Sequence, residues 1–277
     1  MKKLLIGAIV FIIICVALIF RLFQNESNGV PILAYHQVND VDKNGSTLTV
    51  EQFEAQIKYL VDEKYNIISL DELLDAWEGK SSLPSKPIVI TFDDGHLENY
   101  KNVFPILQKY NAKATFFVVT DNVNLFPNYI NWEQAREMQA SGLVDIESNT
   151  LSHKNLTKIY SRDKLWDQIY GSKQAIEWYL KKPAKFISYP EGKYTIDVED
   201  MSKEVGYRAA MISEYGLAHA EDKYVLDRIP VVGANSHTLL RFQARLKCAP
   251  IFVPLSRMKN RLIADGNEAV ASLILIP

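Results

Sequence analysis

The chain has 277 residues, of which 48% are hydrophobic and 23% charged, a composition typical of a globular protein with one large domain or two small ones. Its formal net charge of −2 offers no strongly basic surface, so we expect no nucleic-acid partner. Of its two cysteines, Cys15 lies in an apolar N-terminal run and Cys248 near the other end, which makes a structural disulfide unexpected and excludes a cysteine metal cluster.

The N-terminal residues predict a membrane segment. Two lysines precede an uninterrupted apolar run at residues 4–20, and an arginine follows it. This run is at the short end of what spans a bilayer as a helix, and the charge before it favours a cytoplasmic N-terminus. No small-residue cleavage site follows, so residues 1–23 are interpreted as an uncleaved signal anchor rather than a cleaved signal peptide. Both interpretations place the rest of the chain outside the cytoplasm, beginning with a polar linker at residues 24–30.

Strands and helices are predicted to alternate along residues 31–249. The predicted strands are residues 31–38, 67–69, 88–92, 114–119, 144–147, 185–189, 209–213 and 224–232. The predicted helices are residues 49–64, 70–77, 99–110, 131–140, 161–181, 195–205 and 238–247. Such alternation indicates βα units around a parallel sheet. Seven or eight units predict an α/β fold, a distorted (β/α) barrel related to the TIM type, as a single domain. Residues 250–277 break the pattern and are interpreted as a closing strand or a frayed tail of unclear role.

Polar side chains follow several of these strands. They are His36, Asp93 with Asp94, Asn149 with His153, and the turn formed by Tyr189, Pro190, Glu191 and Gly192. In barrels of this type the chemistry lies where strands end and loops begin. We therefore expect these residues to converge on one rim of the barrel.

The adjacent aspartates raise an electrostatic question, because two neighbouring carboxylates repel each other. A cation held by one of them resolves the repulsion and leaves the other carboxylate free to take a proton. A bound divalent metal can lower the pKa of water towards about 7. A histidine across the site can protonate a leaving group, and a Pro-x-Gly turn can present backbone N–H groups to an oxyanion.

Each of these residues also has a structural interpretation when it is considered alone. The sequence Asp-Asp-Gly is common in turns, His36 could be a satisfied core histidine, and Asn149 could be a helix N-cap. His96, His219 and His237 are interpreted as surface residues or as residues behind the site. The functional interpretation depends on the combination of polar groups at successive strand ends.

Several motifs are more specific. They are Y-H at 35–36, F-x-x-Q-x-x-Y-L at 53–60, T-F-D-D-G at 91–95, A-T-F-F-V at 114–118, Y-P-E-G at 189–192, G-Y-R-A-A at 206–210 and R-I-P-V at 228–231. Together they resemble the polysaccharide deacetylases, the NodB-homology or carbohydrate esterase family 4 group, over about 200 residues. The resemblance implies that Asp93 is the general base and that Asp94 binds a divalent metal, usually zinc. The pattern is most similar to the branch that acts on poly-N-acetylglucosamine, in which the general acid comes from an N-terminal strand, and this implies that role for His36.

Three departures from the family pattern bear on the site. The second motif of the family has His-x-x-x-His, whereas this chain has Asn149 and His153. The implied metal ligands are therefore Asp94, His153 and the amide of Asn149, with lower affinity or a changed metal preference. Ser188 stands near the position of the arginine in the third motif. Glu191 stands where an aromatic residue is usual, which keeps a backbone role but removes a stacking role.

The resemblance implies a metal-dependent hydrolase outside the cell that removes N-acetyl groups from poly-N-acetylglucosamine or a peptidoglycan strand. Two alternatives remain open: a weakened or inactive homologue that binds glycan, because Asn149 replaces a ligand histidine, and an esterase that removes O-acetyl groups with the same site. The expected partners are an N-acetylated glycan and the membrane. No nucleic acid and no protein partner are implied. The expected location is the cell membrane, with the domain of residues 31–249 extracellular, or secreted if the N-terminal segment is cleaved.

Overall fold

The computed structural model describes residues 29–42, 44–233 and 238–276. The predicted membrane anchor at residues 1–23 lies outside this part of the chain. Within the described part, no helix is both long and apolar enough to cross a membrane.

The strands are short and agree closely with the sequence pattern. They are β1 Ile32–Tyr35, β2 Gln37–Val38, β3 Thr47–Leu48, β4 Asn66–Ile67, β5 Pro87–Phe92, β6 Ala114–Val118, β7 Val144–Ser148, β8 Phe186–Ser188, β9 Ala209–Tyr215 and β10 Leu226–Pro230. Parallel pairing in the order β1-β10-β9-β8-β7-β6-β5 is closed by pairing of β1 with β5. The chain thus forms a seven-stranded parallel barrel, and the predicted TIM-like fold is confirmed. β4 adds to the beginning of β5 outside this ring.

Helices cover the outside of the barrel. They are α1 Val50–Asp62, α2 Leu70–Trp77, α3 Phe104–Tyr110, α4 Trp132–Ala140, α5 Arg162–Leu180, α6 Ile196–Val205, α7 Leu239–Lys247, α8 Ala249–Ala264 and α9 Glu268–Ala271. Capping boxes at Thr49/Gln52 and Ser69/Glu72 begin α1 and α2. In these boxes the side chains satisfy backbone N–H groups that have no partner within the helix.

Alternation along the strands decides which side chains enter the barrel. In β5, Ile88, Ile90 and Phe92 belong to the large cluster between strands and helices, whereas Val89 belongs to the smaller cluster within the barrel. Because side chains alternate along a strand, the residues two and four positions after Val89 also face inwards. Asp93, four positions after Val89, is therefore directed to the barrel interior at the end where the strands finish.

The structure differs from the sequence-based prediction at three places. The strand predicted at residues 31–38 is interrupted at His36 and forms the separate strands β1 and β2. The helix predicted at residues 99–110 begins as a π-helix, Asn99–Val103, before α3. Residues 250–277 form neither a closing strand nor a frayed tail, since α8 and α9 occupy most of this segment. β1 pairs with both β10 and β5, so the seven-stranded ring is closed without a strand from this segment.

Candidate active site

Asp93 is buried at the end of β5 and is held by an arginine. Both terminal nitrogens of Arg228 donate to it, Nη1 to Oδ1 at 2.9 Å and Nη2 to Oδ2 at 2.6 Å. The guanidinium is fully buried and also donates to the carbonyl of Ile212 at 2.8 Å, to Thr91 Oγ1 at 3.1 Å and to Ser188 Oγ at 3.1 Å. Such a bidentate pair is strong and fixes orientation. The Asp93 carboxylate is therefore held in one position.

Arg228 is the site residue that sequence reasoning missed. The motif R-I-P-V at 228–231 was noted, but no role was given to its arginine. The arginine of the third family motif is absent, and Ser188 stands near that position; the guanidinium of Arg228 reaches Ser188 from β10 instead. The available signal was an arginine within a predicted barrel strand, at a position that alternates with Asp227, because a charged residue directed into a barrel needs a buried partner.

His36 faces the same carboxylate from the end of β1. Its Nε2 lies 4.0 Å from Asp93 Oδ2, and its side chain is 29% exposed. Its Nδ1 is buried and has no hydrogen-bond partner within the described part of the chain. The imidazole is therefore partly open to solvent and close to the buried carboxylate without being bonded to it.

Asp94 is turned away from Asp93 by a left-handed backbone, with φ of 74°. Its Oδ1 accepts a hydrogen bond from Asn149 Nδ2 at 3.0 Å and lies 3.3 Å from His153 Nε2, while its Oδ2 lies 3.5 Å from His96 Nε2. Burial disfavours the charge on Asp94. The hydrogen bond from His96 and the nearby imidazoles of His36 and His153 outweigh that effect and lower the pKa of Asp94 below its ordinary value.

A tight turn after β7 brings Asn149 and His153 together. Thr150 and His153 adopt positive φ angles of 67° and 55°, and the Thr150 hydroxyl accepts the backbone N–H of His153 at 3.2 Å. Asn149 is 1% exposed, and its backbone N–H donates to the carbonyl of Val118 at 2.9 Å. Both side chains are thereby directed to Asp94.

His96 lies behind Asp94 and is held as one tautomer. Gln37 Oε1 accepts from Asn44 Nδ2 at 3.0 Å and from Thr47 Oγ1 at 2.9 Å, so Gln37 Nε2 is the atom that faces His96 Nδ1, at 3.4 Å. His96 Nδ1 must then accept, which leaves the ring proton on Nε2, directed to Asp94 Oδ2. His96 is therefore a donor to Asp94 rather than a metal ligand.

The other two histidines do not join the site in the described structure. His219 lies against Gly29, beside the entry to β1. His237 lies outside the described residues.

The turn after β8 presents little of its polar surface to the site. Tyr189 is buried, its hydroxyl lies 3.2 Å from Ser202 Oγ, and its N–H donates to the carbonyl of Met211 at 3.0 Å. Burial raises the pKa of the Tyr189 hydroxyl, so this side chain stays neutral. Gly192 N–H donates to the carbonyl of Tyr189 at 2.8 Å, and Pro190 has no N–H. Tyr189 thus fixes the turn, and within it the N–H of Glu191 is the backbone donor left for a ligand.

The side chain of Glu191 is not in the site. It accepts from Lys193 Nζ at 2.6 Å and from Asn155 Nδ2 at 3.1 Å, and these groups lower its pKa, with the Lys193 hydrogen bond as the main cause. The close approach of the turn to β9 requires Gly192, since a Cβ there would lie 2.4 Å from the backbone nitrogen of Ser213.

The residues at Asp94 fit a metal, although with an incomplete set of charged and imidazole ligands. The distance of 3.3 Å between Asp94 Oδ1 and His153 Nε2 matches two ligands about 2 Å from a shared tetrahedral ion. Asn149 Oδ1 is buried without a hydrogen-bond partner, which makes it available as a third ligand. Within residues 29–42, 44–233 and 238–276, no group of three His, Cys, Asp or Glu side chains is arranged to hold a metal.

The fold and these residues define a class of enzyme, the deacetylases of polysaccharides. A family model for polysaccharide deacetylase matches residues 80–210, which include Asp93, Asp94, Asn149 and His153. The Bacillus subtilis protein YxkH, named as a polysaccharide deacetylase, is 31% identical over 206 residues that cover 73% of this chain and 71% of that protein. The chain belongs to the polysaccharide deacetylase family.

Two further relatives agree with this assignment. The poly-beta-1,6-N-acetyl-D-glucosamine N-deacetylase of Staphylococcus aureus is 29% identical over 195 residues, which cover 66% of this chain and 67% of that enzyme. The solved structure of the Streptococcus pyogenes deacetylase PplD in complex with acetate has a TM-score of 0.71 and 26% identity, covering 77% of this chain and 97% of PplD. The predicted family and the predicted deacetylase class are confirmed.

Proposed function

We propose that this chain is a metal-dependent N-deacetylase that acts outside the cell on poly-N-acetylglucosamine or a related N-acetylated glycan. The observation that carries this proposal is the division of the two adjacent aspartates. Asp93 is held by Arg228 beside His36, whereas Asp94 is shared by Asn149 and His153. The similarity to the Staphylococcus aureus enzyme supports the glycan class.

Asp94, His153 and the Asn149 amide oxygen would hold the metal, for which we propose zinc. When bound, the metal would polarise the acetamide carbonyl of the substrate and lower the pKa of the attacking water. An amide oxygen is a harder and weaker ligand for zinc than imidazole. We therefore expect weaker binding of zinc than at a site with two histidines.

The remaining steps are carried out by side chains and one backbone N–H group of the protein. Asp93 takes the proton of the attacking water, and Arg228 keeps its carboxylate oriented for that step. The N–H of Glu191 donates to the oxyanion that develops on the carbonyl. His36, on the exposed side of Asp93, protonates the departing sugar nitrogen as the C–N bond breaks. The products are acetate and a free amine on the glycan.

We propose a location at the outer face of the cell membrane, with residues 1–23 as the anchor. The apolar run at residues 4–20, preceded by two lysines, supports this orientation.

The proposed activity is tested with the purified full chain. Acetate release from N-acetylglucosamine oligomers and from peptidoglycan is measured after loading with zinc, cobalt, nickel or manganese, together with the bound metal per chain. The variant Asn149→His is assayed in parallel. Absence of release by both proteins with every metal would contradict the proposal.

The main alternative is a homologue that binds glycan without turnover. It is favoured by the hydrogen bond from Asn149 Nδ2 to Asp94 Oδ1, which occupies a ligand oxygen within the protein itself. Under this alternative, only Asn149→His releases acetate. Release from O-acetylated but not N-acetylated glycans by the unaltered chain would instead indicate an esterase.

A further inference from the structure

Helix α8 exposes an apolar stripe on its outer face. Ile251, Leu255, Met258 and Leu262 are spaced by four, three and four residues, which places them on one side of the helix. Ile251 is 51% and Met258 48% exposed. The opposite side packs inwards through Val253, which is fully buried. A surface helix normally has the reverse arrangement, with polar residues facing outwards.

The neighbouring segment extends this apolar surface. After α9 the chain returns along α8, where Lys259 Nζ donates to the carbonyl of Ile274 at 3.1 Å. Leu273 and Leu275 on this return are 78% and 84% exposed. The stripe on α8 and the return after α9 thus place several exposed apolar side chains within one C-terminal segment, and we name this surface the patch.

Cationic residues flank the stripe. Lys259 and Arg261 fall on its two sides, because each lies one residue from a member of the stripe on a helix of 3.6 residues per turn. Across residues 238–276 there are six basic and two acidic residues, although the whole chain has a net charge of −2. Long basic side chains beside an apolar face are typical of helices that lie in the interface of an anionic bilayer.

The patch lies on the side of the barrel, outside β10. Arg257 Nη2 on α8 donates to Asp227 Oδ2 at 2.8 Å, and Asp227 is the second residue of β10. Val30, directly before β1, pairs with Ala218. The Val30 contact marks the end where the parallel strands begin, whereas Asp227, the neighbour of Arg228, lies partway along β10, so α8 runs along the side of the barrel. The apolar run at residues 4–20 ends nine residues before the first described residue, Gly29.

We propose that the outer face of α8, with the apolar return after α9, binds the surface of a bilayer that contains anionic lipid. This interaction goes beyond the deacetylase activity and depends only on the proposed location at a membrane. The basic flanks match anionic headgroups, and the proposed anchor at residues 1–23 holds the patch close to the same membrane. The barrel then lies with the side that carries α8 against the bilayer.

The test uses the full chain reconstituted into phosphatidylcholine vesicles with or without phosphatidylglycerol. A polarity-sensitive fluorophore is attached at Met258→Cys in a Cys15→Ser/Cys248→Ser background. A matched label at Glu133→Cys, exposed in the first turn of α4, reports the side of the barrel across the ring from β10. A third protein carries the label at position 258 together with Lys259→Glu and Arg261→Glu. Circular dichroism establishes that all variants are folded.

We expect the label at position 258 to shift to shorter wavelengths and to be quenched by lipids with bromine on their acyl chains when phosphatidylglycerol is present. The label at position 133 should remain unquenched, and the charge reversals should reduce quenching at position 258 several-fold. The proposal is overturned if, in anionic vesicles, the emission wavelength and the quenching of the label at position 258 equal those of the label at position 133. Two other results also overturn the proposal. If the label at position 258 is shielded from water but not quenched by the lipids, residues 1–28 cover the helix. If its shielding rises with the density of protein in the vesicles, a second copy covers it.

Discussion

At the scale of single residues, the site separates two adjacent carboxylates by giving each its own partners. The strand conformation of β5 directs Asp93 to Arg228, and the positive φ of Asp94 directs the next carboxylate to Asn149 and His153. Two like charges side by side are thereby stabilised by different cationic and polar groups.

Asp93→Asn removes the proposed base while keeping the shape of the side chain. We expect acetate release to fall by about 10²- to 10⁴-fold, the usual contribution of general-base catalysis, with metal content unchanged. Asp94→Asn is the matched control and should lose bound metal. Turnover close to that of the unaltered chain in Asp93→Asn would contradict the assigned base.

Arg228→Met leaves the Asp93 carboxylate buried without its cation. The loss of one partner of a buried pair costs about 3–5 kcal/mol, so the free energy of unfolding measured in urea should fall by that amount. The double variant Arg228→Met/Asp93→Asn removes the uncompensated charge and should recover part of the loss. Arg228→Lys should also lower kcat, because an ammonium cannot reproduce the two parallel hydrogen bonds. Equal stability of the single and double variants would contradict the coupling.

His96→Phe keeps a ring against Tyr129, whose ring centroid lies 5.1 Å from that of His96, but removes the donor to Asp94 Oδ2. Groups that orient a metal ligand typically change metal affinity by about 10- to 100-fold. We expect the dissociation constant for zinc, measured by competition with a chelator, to rise within that range. A loss of bound metal as complete as in Asp94→Asn would instead identify His96 as a ligand.

At the scale of elements, neighbouring strands are joined by buried polar side chains as well as by the backbone hydrogen bonds between them. Glu147 in β7 is fully buried and accepts from the backbone N–H groups of Lys185 at 2.7 Å and Phe186 at 2.8 Å and from Lys182 Nζ at 2.6 Å. This carboxylate fixes the entry into β8, the strand that carries the turn with Glu191.

Glu147→Ala should destabilise the protein strongly, because two buried N–H groups lose their acceptor and the Lys182 ammonium loses one of its two carboxylate partners, keeping Asp145. We expect the free energy of unfolding to fall by about 3–5 kcal/mol. Glu147→Gln keeps an oxygen acceptor and should cost less. Thermal unfolding of both variants measures the difference, and an alanine variant as stable as the glutamine variant would contradict this account.

The sequence predicted elements well where the signal is local. Thr49 with Gln52 marks the beginning of α1, and the alternation of apolar runs gives the parallel barrel. The partner of Asp93 could not be predicted, because it depends on which strands become neighbours in space. The outward stripe of α8 was equally hidden, since an apolar segment alone does not reveal which of its faces meets the core.

At the scale of the whole molecule, the closed ring brings distant parts of the chain to one rim. β1 lies between β5 and β10, so His36, Asp93 and Arg228 come from three adjacent strands although Asp93 and Arg228 are 135 positions apart in sequence. Contacts of such long separation form late in folding, because the loop between them must first be closed.

Recovery of activity after dilution from denaturant should therefore follow the slowest phase of refolding. Helical circular dichroism should return earlier, since the helices depend mainly on local contacts. Stopped-flow circular dichroism and timed acetate assays on one sample compare the two rates. Activity that returns together with the first helical signal would contradict this order.

The ring also sets a sequence of events during synthesis. Asp93 is made when more than a hundred residues are still to come, and its guanidinium partner arrives only with the last barrel strand. Until β10 is added, the nascent chain has an open sheet and the proposed base lacks its partner. We therefore expect no deacetylase activity from a chain that has not yet emerged from the ribosome as far as residue 230.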